Sequence, residues 1–364
     1  MVSSVKLAEL WQRMGYRVVV VCMGKGGSPW RRGSTVEEIS ATLRIYRKPD
    51  FFLRDPLNFG IAPGFGSLVR KVIAKEHPDL LICNKVLFWG SFCLPLLRAR
   101  GHKILLITDT LVGMTWQPRP VMAKIIMSIG AWTMGWLVLR SATSIVFFHP
   151  QPPRLLRLLG IEQKSRVIPT GIDPAPFLHE RHRTDIARSL SAVYIGRLES
   201  VKGVDDFLAA AVPLQKIFPR FGIRVVGWYA PDHPLPRHYP TVQFTGLRED
   251  IPEILEQVDI FVLPSYSEGL GNALMEAMAS GCACIATDVG GNRFLIENGM
   301  SGLLFPAGDR AALRAHLERL LRDPAKCLAM GTAAQKRIHT YFRWNIIAKQ
   351  YQALFEQYLQ QQPA

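Results

Sequence analysis

The chain has 364 residues, 48% of them hydrophobic, and a formal net charge of +15. That length and apolar content suit one large or two medium domains with full cores, and exclude a chain too polar to fold. The charge sits in one half: residues 1–170 hold 24 Lys and Arg against 9 Asp and Glu, whereas residues 171–364 hold 20 basic and 20 acidic side chains. A basic half suggests an anionic counterpart, with nucleic acid, anionic lipid and a phosphate-bearing substrate as candidates and a basic surface kept for solubility as the bland alternative. No nucleic-acid recognition motif accompanies the charge, so nucleic acid is not expected as a partner.

In chain order, residues 1–14 read as an amphipathic helix leading directly into a strand at 17–23. A parallel α/β domain normally opens with a strand and a loop before such a helix. The expectation is therefore a late start or a lost first strand, the late start being favoured. No secretory leader pattern is visible at this end. Gly24 and the Lys-Gly-Gly-Ser that follows it make a glycine-rich turn, but not the GxxxxGK[ST] of a phosphate-binding loop. A helix at 66–76 and strands at 80–83 and 103–108 come next.

Residues 121–139 (VMAKIIMSIGAWTMGWLVL) are the most apolar stretch. Lys124 interrupts it early, which argues against a full membrane span of about 18 or more apolar residues. Trp116, Trp132 and Trp136, with Arg119, Lys124 and Arg140, suit a bilayer interface. A helix buried beside a cleft is the alternative. A strand at 144–148 follows, and then 166–173 (RVIPTGID) reads as strand, turn and crossing point.

A second α/β series runs through strands at 192–195, 223–226, 242–244, 260–263 and 283–286. Helices at 205–218, 251–257, 272–279 and 310–322 alternate with them. Strand–helix alternation throughout argues two domains with parallel sheets, meeting near residue 170, with ligands at the carboxyl ends of the strands in the cleft. The six cysteines (Cys22, Cys83, Cys93, Cys282, Cys284, Cys327) lack metal spacing and fit a reducing cytosol. Cys282 and Cys284 enter a buried strand and read as packing.

The segment 264–291 (PSYSEGLGNALMEAMASGCACIATDVGG) carries the chemistry. A strand runs into a glycine-rich loop with one acid, Glu268. The next helix carries a second acid, Glu276. Unpaired N–H groups at a helix start suit an anion, and two carboxylates suit the hydroxyls of a sugar or ribose. Phosphate plus polyol outlines a nucleotide sugar. Arg197 and Lys202 follow the strand 192–195, where two converging cations suit a leaving diphosphate. Taken alone, Arg197 and Lys202 read by default as surface cations, and Glu268 and Glu276 as a solvated loop acid and a helix-surface acid.

Together the strings GRLESVKGVDDFL (196–208), the run 242–291 and NGMSGLLFPAGD (298–309) resemble the nucleotide-sugar domain of retaining family-4 glycosyltransferases of GT-B fold. RVIPTGID resembles their interdomain crossing, and Phe342-Arg343-Trp344 with the helix after it resembles the segment returning to the first domain. The match covers about residues 166–358. It implies an N-terminal acceptor-side domain (1–168), a nucleotide-sugar domain (169–340) and a returning C-terminal helix (341–364).

The resemblance also implies roles. Glu268 would bond donor-sugar hydroxyls and Glu276 the ribose. Arg197 and Lys202 would bind the diphosphate, with the backbone N–H groups of Gly269, Leu270, Gly271 and Asn272 completing the cradle. Gly246, Leu247 and Arg248 would border the base. The donor would be a UDP- or GDP-sugar, with no cofactor and no metal. Asp205 and Asp206 belong to a helix rather than to a DxD metal motif. Two departures stand out. Relatives carry a His after the strand at 103–108, where this chain reads Ile107-Thr108-Asp109, making Asp109 the nearest polar candidate for the sugar or acceptor. Phe294 stands where an acid is common.

The expected activity is sugar transfer to a lipid-linked or polysaccharide-precursor acceptor, by a peripheral protein on the cytoplasmic face of the plasma membrane. Such a protein would serve lipopolysaccharide or capsule assembly. A GT-B epimerase or phosphorylase and a silent GT-B binding protein are the alternatives.

Overall fold

The computed structural model describes residues 2–24, 34–53, 59–118, 120–178 and 190–360. The glycine-rich run after Gly24 and Arg119 lie outside them. The chain divides into two compact α/β units: Met1–Thr170 with Trp344–Ala364, and Gly171–Arg343.

The first unit opens with a helix, Val2–Arg13, that buries Leu7, Ala8 and Leu10. Among the described residues its strands are β1 (Val18–Gly24), β2 (Thr35–Ser40), β3 (Leu43–Pro49), β4 (Phe51–Leu53), β5 (Phe59–Ile61), β6 (Leu81–Asn84), β7 (Ile104–Thr108), β8 (Ser144–Phe147) and β9 (Ser165–Val167). Strands β6-β7-β8-β9 form one parallel sheet in that order. All residues of β7 and β8 are buried, as expected where helices cover both faces of a parallel sheet.

Beside the expected parallel sheet, this unit has two antiparallel pairings. β2 pairs antiparallel with β3, which in turn pairs parallel with β1. β4 and β5 form a separate antiparallel pair. β2 (TVEEIS) is mostly exposed and has no apolar alternation to announce it. A cross-strand ion pair, Arg47 Nε to Glu37 Oε1 at 3.1 Å, joins this hairpin.

The C-terminal helix Trp344–Gln360 buries Ile347, Tyr351, Leu354, Phe355 and Tyr358 along one stripe. Trp11 of the first helix meets the rings of Tyr351 and Phe355 edge-on, with centroids 6.1 and 5.8 Å away. The apolar stretch forms one helix, Val121–Ser141, with a single π turn at Ala131–Gly135. It is not the buried helix of the alternative reading. Val121, Met122, Ile125, Ile126, Ile129, Trp132, Met134, Trp136 and Leu137 are all exposed, while Ala123, Ala131, Val138 and Leu139 are buried. By length and composition alone this helix is long and apolar enough to cross a membrane.

The second unit holds β10 (Ser191–Ile195), β11 (Gly222–Val226), β12 (Gln243–Phe244), β13 (Ile260–Leu263), β14 (Ala283–Thr287) and β15 (Leu303–Phe305). All are parallel, in the order β12-β11-β10-β13-β14-β15. This is a doubly wound sheet whose order reverses between β10 and β13. The helix expected at 205–218 is shorter, Val204–Ala211, and continues as a 3-10 turn at Val212–Lys216. Pro213 has no N–H to continue the α ladder. Cys282 and Cys284 are fully buried beside Ala283 and Ile285 and pack as apolar residues.

Candidate functional site

In a doubly wound sheet the loops at the reversal point part to opposite faces and leave a crevice at the strands' carboxyl ends. Here those loops are 196–202 after β10 and 264–271 after β13, the two segments that carry Arg197, Lys202 and Glu268.

The loops are joined. Tyr266 N–H donates to the Val201 carbonyl at 2.8 Å. Gly203 caps the helix Val204–Ala211 in the left-handed region (φ 64°), and a Cβ there would overlap the Pro264 carbonyl. Lys202 Nζ donates to Glu268 Oε1 at 2.7 Å, and Ser265 Oγ donates to the same oxygen at 2.7 Å. The second oxygen, Oε2, carries no protein hydrogen bond among the described residues, so Glu268 can still accept from a ligand. The carboxylate is largely buried and the ammonium mostly so.

A second support comes from behind. Gly291 N–H donates to the Gly269 carbonyl at 2.9 Å. Gly290 has φ 50°, and a Cβ on it would overlap the Glu268 carbonyl. The diglycine turn thus lies backbone against backbone on the acid's own loop. Thr287 Oγ1 donates to the Ser265 carbonyl at 2.6 Å, and Asn292 Nδ2 donates to the Thr287 carbonyl at 3.0 Å.

The helix Asn272–Ala279 starts directly after this loop, with Gly271 as an extended N-cap that offers no side-chain acceptor. Its first-turn N–H groups therefore face outward at the positive end of the helix dipole. Glu276 is half-buried in the second turn of the same helix.

Arg197 is not gathered into this cluster. Its Nη1 pairs with Glu199 Oε1 at 2.6 Å, its side chain is exposed, and its carbonyl accepts from Tyr194 Oη at 2.9 Å. The two cations of the loop are held by two different acids. Gly246 adopts φ 69° and accepts from Gly227 N–H at 2.8 Å. Leu247 is 72% exposed, and Arg248 Nε pairs with Asp250 Oδ1 at 2.7 Å. Asp206 serves structure: it is buried, accepting from Tyr266 Oη at 2.7 Å and from Arg310 Nε at 2.6 Å. Among the described residues no group of three or more His, Cys, Asp or Glu is placed to hold a metal ion.

Asp109 belongs to the first unit, just after β7. Its Oδ1 accepts from Thr110 N–H at 3.0 Å, and Oδ2 lies 4.0 Å from Lys85 Nζ. A histidine does stand beyond the end of the next strand. His149 follows β8, is buried, and its Nδ1 lies 3.1 Å from the Pro150 carbonyl. Burial pushes its pKa down, opposed by that hydrogen bond and by the Asp109 charge.

Sequence reading missed Ser265, Lys85 and His149. Ser265 had a usable signal, a serine at the end of an all-apolar strand three residues before the acid.

The family model described as Glycosyltransferase Family 4 matches residues 2–176, and that described as Glycosyl transferases group 1 matches residues 190–323. The chain is 31% identical over 225 residues to glycogen synthase of Mycobacterium tuberculosis, covering 59% of this chain and 54% of that protein. It is 29% identical over 210 residues to the Escherichia coli UDP-Gal:alpha-D-GlcNAc-diphosphoundecaprenol alpha-1,3-galactosyltransferase, covering 52% and 54%. The chain thus spans about half the length of these curated relatives. Sucrose-phosphate synthase of Thermosynechococcus elongatus has a similar fold, with TM-score 0.79, 24% identity and coverage of 97% of this chain and 91% of that one.

Proposed function

The chain belongs to the family-4 glycosyltransferases of GT-B fold, and from that premise we propose that it moves a sugar from a nucleoside diphosphate sugar to a lipid-linked or polysaccharide-precursor acceptor. The transfer retains anomeric configuration, requires no metal ion and takes place at the cytoplasmic face of the membrane. The observation that carries this reading is the Lys202–Glu268–Ser265 cluster at the point where the strand order reverses.

Each residue has a task in that reaction. As the donor's glycosidic C–O bond breaks, negative charge grows on the leaving diphosphate. Lys202, Arg197 and the N–H groups of Gly269, Leu270, Gly271 and Asn272 neutralise it. The acceptor hydroxyl forms the new C–O bond, and its proton passes to a phosphate oxygen of the leaving group. Glu268 receives sugar hydroxyls on Oε2, while Lys202 and Ser265 keep Oε1 in place. Glu276 takes the ribose hydroxyls, and Gly246, Leu247 and Arg248 border the base. Asp109 contributes from the acceptor side. The relative from Escherichia coli, whose name contains both a UDP-sugar and a diphosphoundecaprenol acceptor, supports this donor and acceptor class.

The test is a transfer assay with UDP- and GDP-hexoses on polyprenol-diphosphate sugars. The expected result is transfer from at least one donor, abolished or severely reduced in Glu268→Ala and Lys202→Ala. Full turnover in both variants would overturn the site, and absence of transfer from every donor would favour a silent GT-B protein.

A further inference from the structure

The sheet β6-β7-β8-β9 carries a group of cations at its amino-terminal edge, opposite the edge where α/β sheets take their ligands. Arg98 stands in the last turn of the helix Leu94–Ala99 that precedes β7, and Arg140 in the last helical turn before β8. Lys164 comes immediately before β9, and Arg166 lies in it. The three arginines are exposed and Lys164 is half-buried. Among the described residues no carboxylate pairs with any of the four. Glu162, in the same turn as Lys164, faces Arg157 at 3.7 Å.

Neutral groups hold these charges. Lys164 Nζ donates to the carbonyls of Arg140 at 2.9 Å and Ala142 at 2.7 Å, which leaves one of its three N–H groups. The Arg140 guanidinium lies over the Trp136 ring, 5.4 Å from its centroid, and against Gly160, where a Cβ would overlap it. Burial, then the like charges of Arg140 and Arg98, pull the Lys164 pKa down to about 8. Tyr358 of the helix Trp344–Gln360 joins the group. It is 9% exposed, its Oη makes no hydrogen bond of normal geometry among the described residues, and the charges of Arg166 and Arg98 both act on it. Ser144 Oγ, beside it, donates to the Lys164 carbonyl at 3.3 Å.

A cation in the last turn of a helix offsets the helix dipole, which accounts for Arg98 and Arg140 singly. It does not account for Arg166, which lies on a strand, or for a lysine crowded by two like charges. Nor does it account for a buried hydroxyl without a partner, which costs free energy. A bound anion accounts for all three. Arginine clamps phosphate with two parallel bonds, lysine acts as a point charge, and a tyrosine hydroxyl donates.

We propose that this edge is an anion site, separate from the donor cleft, which takes a phosphate group on Arg98, Arg140, Lys164, Arg166 and the Tyr358 hydroxyl. A free phosphate and a lipid headgroup present the same chemistry to it. The site does not depend on the function proposed above.

The experiment is equilibrium dialysis of labelled phosphate and labelled sulfate against the full chain, in chloride buffer of fixed ionic strength. Saturable binding is expected. Arg98→Ala with Arg166→Ala should weaken it by about tenfold, the scale of a hydrogen bond to a charged group. Tyr358→Phe should weaken it too. Neither variant removes a bond from the anion-free protein, so neither should lower its melting temperature. Lys202→Ala, in the donor cleft, should leave this binding in place. Sulfate does not titrate in this range, and Tyr358, raised by burial, stays protonated. Sulfate should therefore bind more weakly above about pH 8 than below it, as Lys164 loses its proton, and Lys164→Arg should remove that difference.

Flotation with phosphatidylcholine vesicles containing phosphatidic acid identifies the source. Flotation lowered by Arg98→Ala with Arg166→Ala assigns the site to a headgroup, and flotation unchanged while dialysis weakens assigns it to a soluble phosphate. No saturable binding would overturn the inference. So would binding indifferent to the Arg98, Arg166 and Tyr358 variants, binding lost in Lys202→Ala, or a pH dependence that survives Lys164→Arg. Sugar transfer is not read, so its absence leaves the result standing.

Discussion

Lys202 Nζ and Glu268 Oε1, 66 residues apart in sequence, lie 2.7 Å apart in the structure. The pair links the loop after β10 to the loop after β13, and each partner prevents the other from being a lone, mostly buried charge. In the proposed reaction the ammonium turns from Glu268 toward a phosphate of the donor. Lys202→Ala should therefore lower kcat/KM by about 10²–10³-fold, the usual loss for one donor to a developing anion. Glu268→Gln keeps the shape and an acceptor oxygen but loses the charge that holds the lysine. Its loss should fall between wild type and Lys202→Ala. Steady-state kinetics with the active donor decides the order, and equal activity in all three proteins would remove both residues from the reaction.

Gly290 tests whether the loop's position matters apart from its charges. Alanine there meets the Glu268 carbonyl and must also adopt φ 50°. Gly290→Ala should destabilise the protein by at least about 1 kcal/mol, since alanine is strained at positive φ. Activity should fall by more than the folded fraction explains, because the displaced atom belongs to the acid. Thermal melting and kcat measured on the same preparation separate the two effects. A loss of activity that only tracks unfolding would show that the turn acts on stability alone.

Glu76 gives the first unit an acid-sensitive anchor. It accepts from Tyr46 Oη and Arg44 Nη1 and pairs with Arg17 at 2.5 Å. The Tyr46 hydrogen bond, then the Arg44 one, pull its carboxyl down from 4.5 to about 2. A carboxyl depressed on folding stabilises the protein above its unfolded value, and that stability drains as pH falls through the folded one. The melting temperature should therefore drop between pH 4.5 and 2, and Glu76→Gln should flatten that part of the profile. Identical acid slopes in the two proteins would show that Glu76 is not the anchor.

In the proposed reaction, cations and helix N–H groups do the work that a divalent ion does elsewhere. Activity should persist in excess chelator. Loss that Mg²⁺ or Mn²⁺ restores would count against the proposed mechanism.

How much was readable in the sequence depended on burial. β13 and β14 are interior strands of the sheet and are fully buried short apolar runs, and the helix Asn272–Ala279 between them buries Leu274, Met275, Ala277, Met278 and Ala279. β2 is mostly exposed, and β4 and β5 are only three residues long, too short to show a period. In the candidate site, Glu268 and Lys202 were visible as types at set distances in one chain. Their bond was not, because it depends on the parallel register that sets β10 beside β13. His149 was missed for a related reason. A histidine was sought after the strand ending at Thr108, whereas this one ends the neighbouring strand, which only the pairing of β7 with β8 makes adjacent.

The exposed row on Val121–Ser141 leads to a membrane prediction with two separable parts. Its apolar side chains, including Trp132 at 46% and Trp136 at 40% exposed, favour any bilayer interface. The basic excess of residues 1–170 favours an anionic one. Near such a surface each basic residue adds about 1 kcal/mol, and salt weakens that part alone. In flotation assays the protein should bind vesicles of phosphatidylcholine weakly and vesicles containing phosphatidylglycerol strongly. Lys124→Glu should lower only the anionic binding, and Ile129→Ser with Trp132→Ser should lower both. Moderate salt should bring anionic binding down toward the neutral level without abolishing it. Equal binding to the two vesicle types would remove the electrostatic part. No binding to either would leave the apolar row to another occupant and remove the membrane from the proposed function.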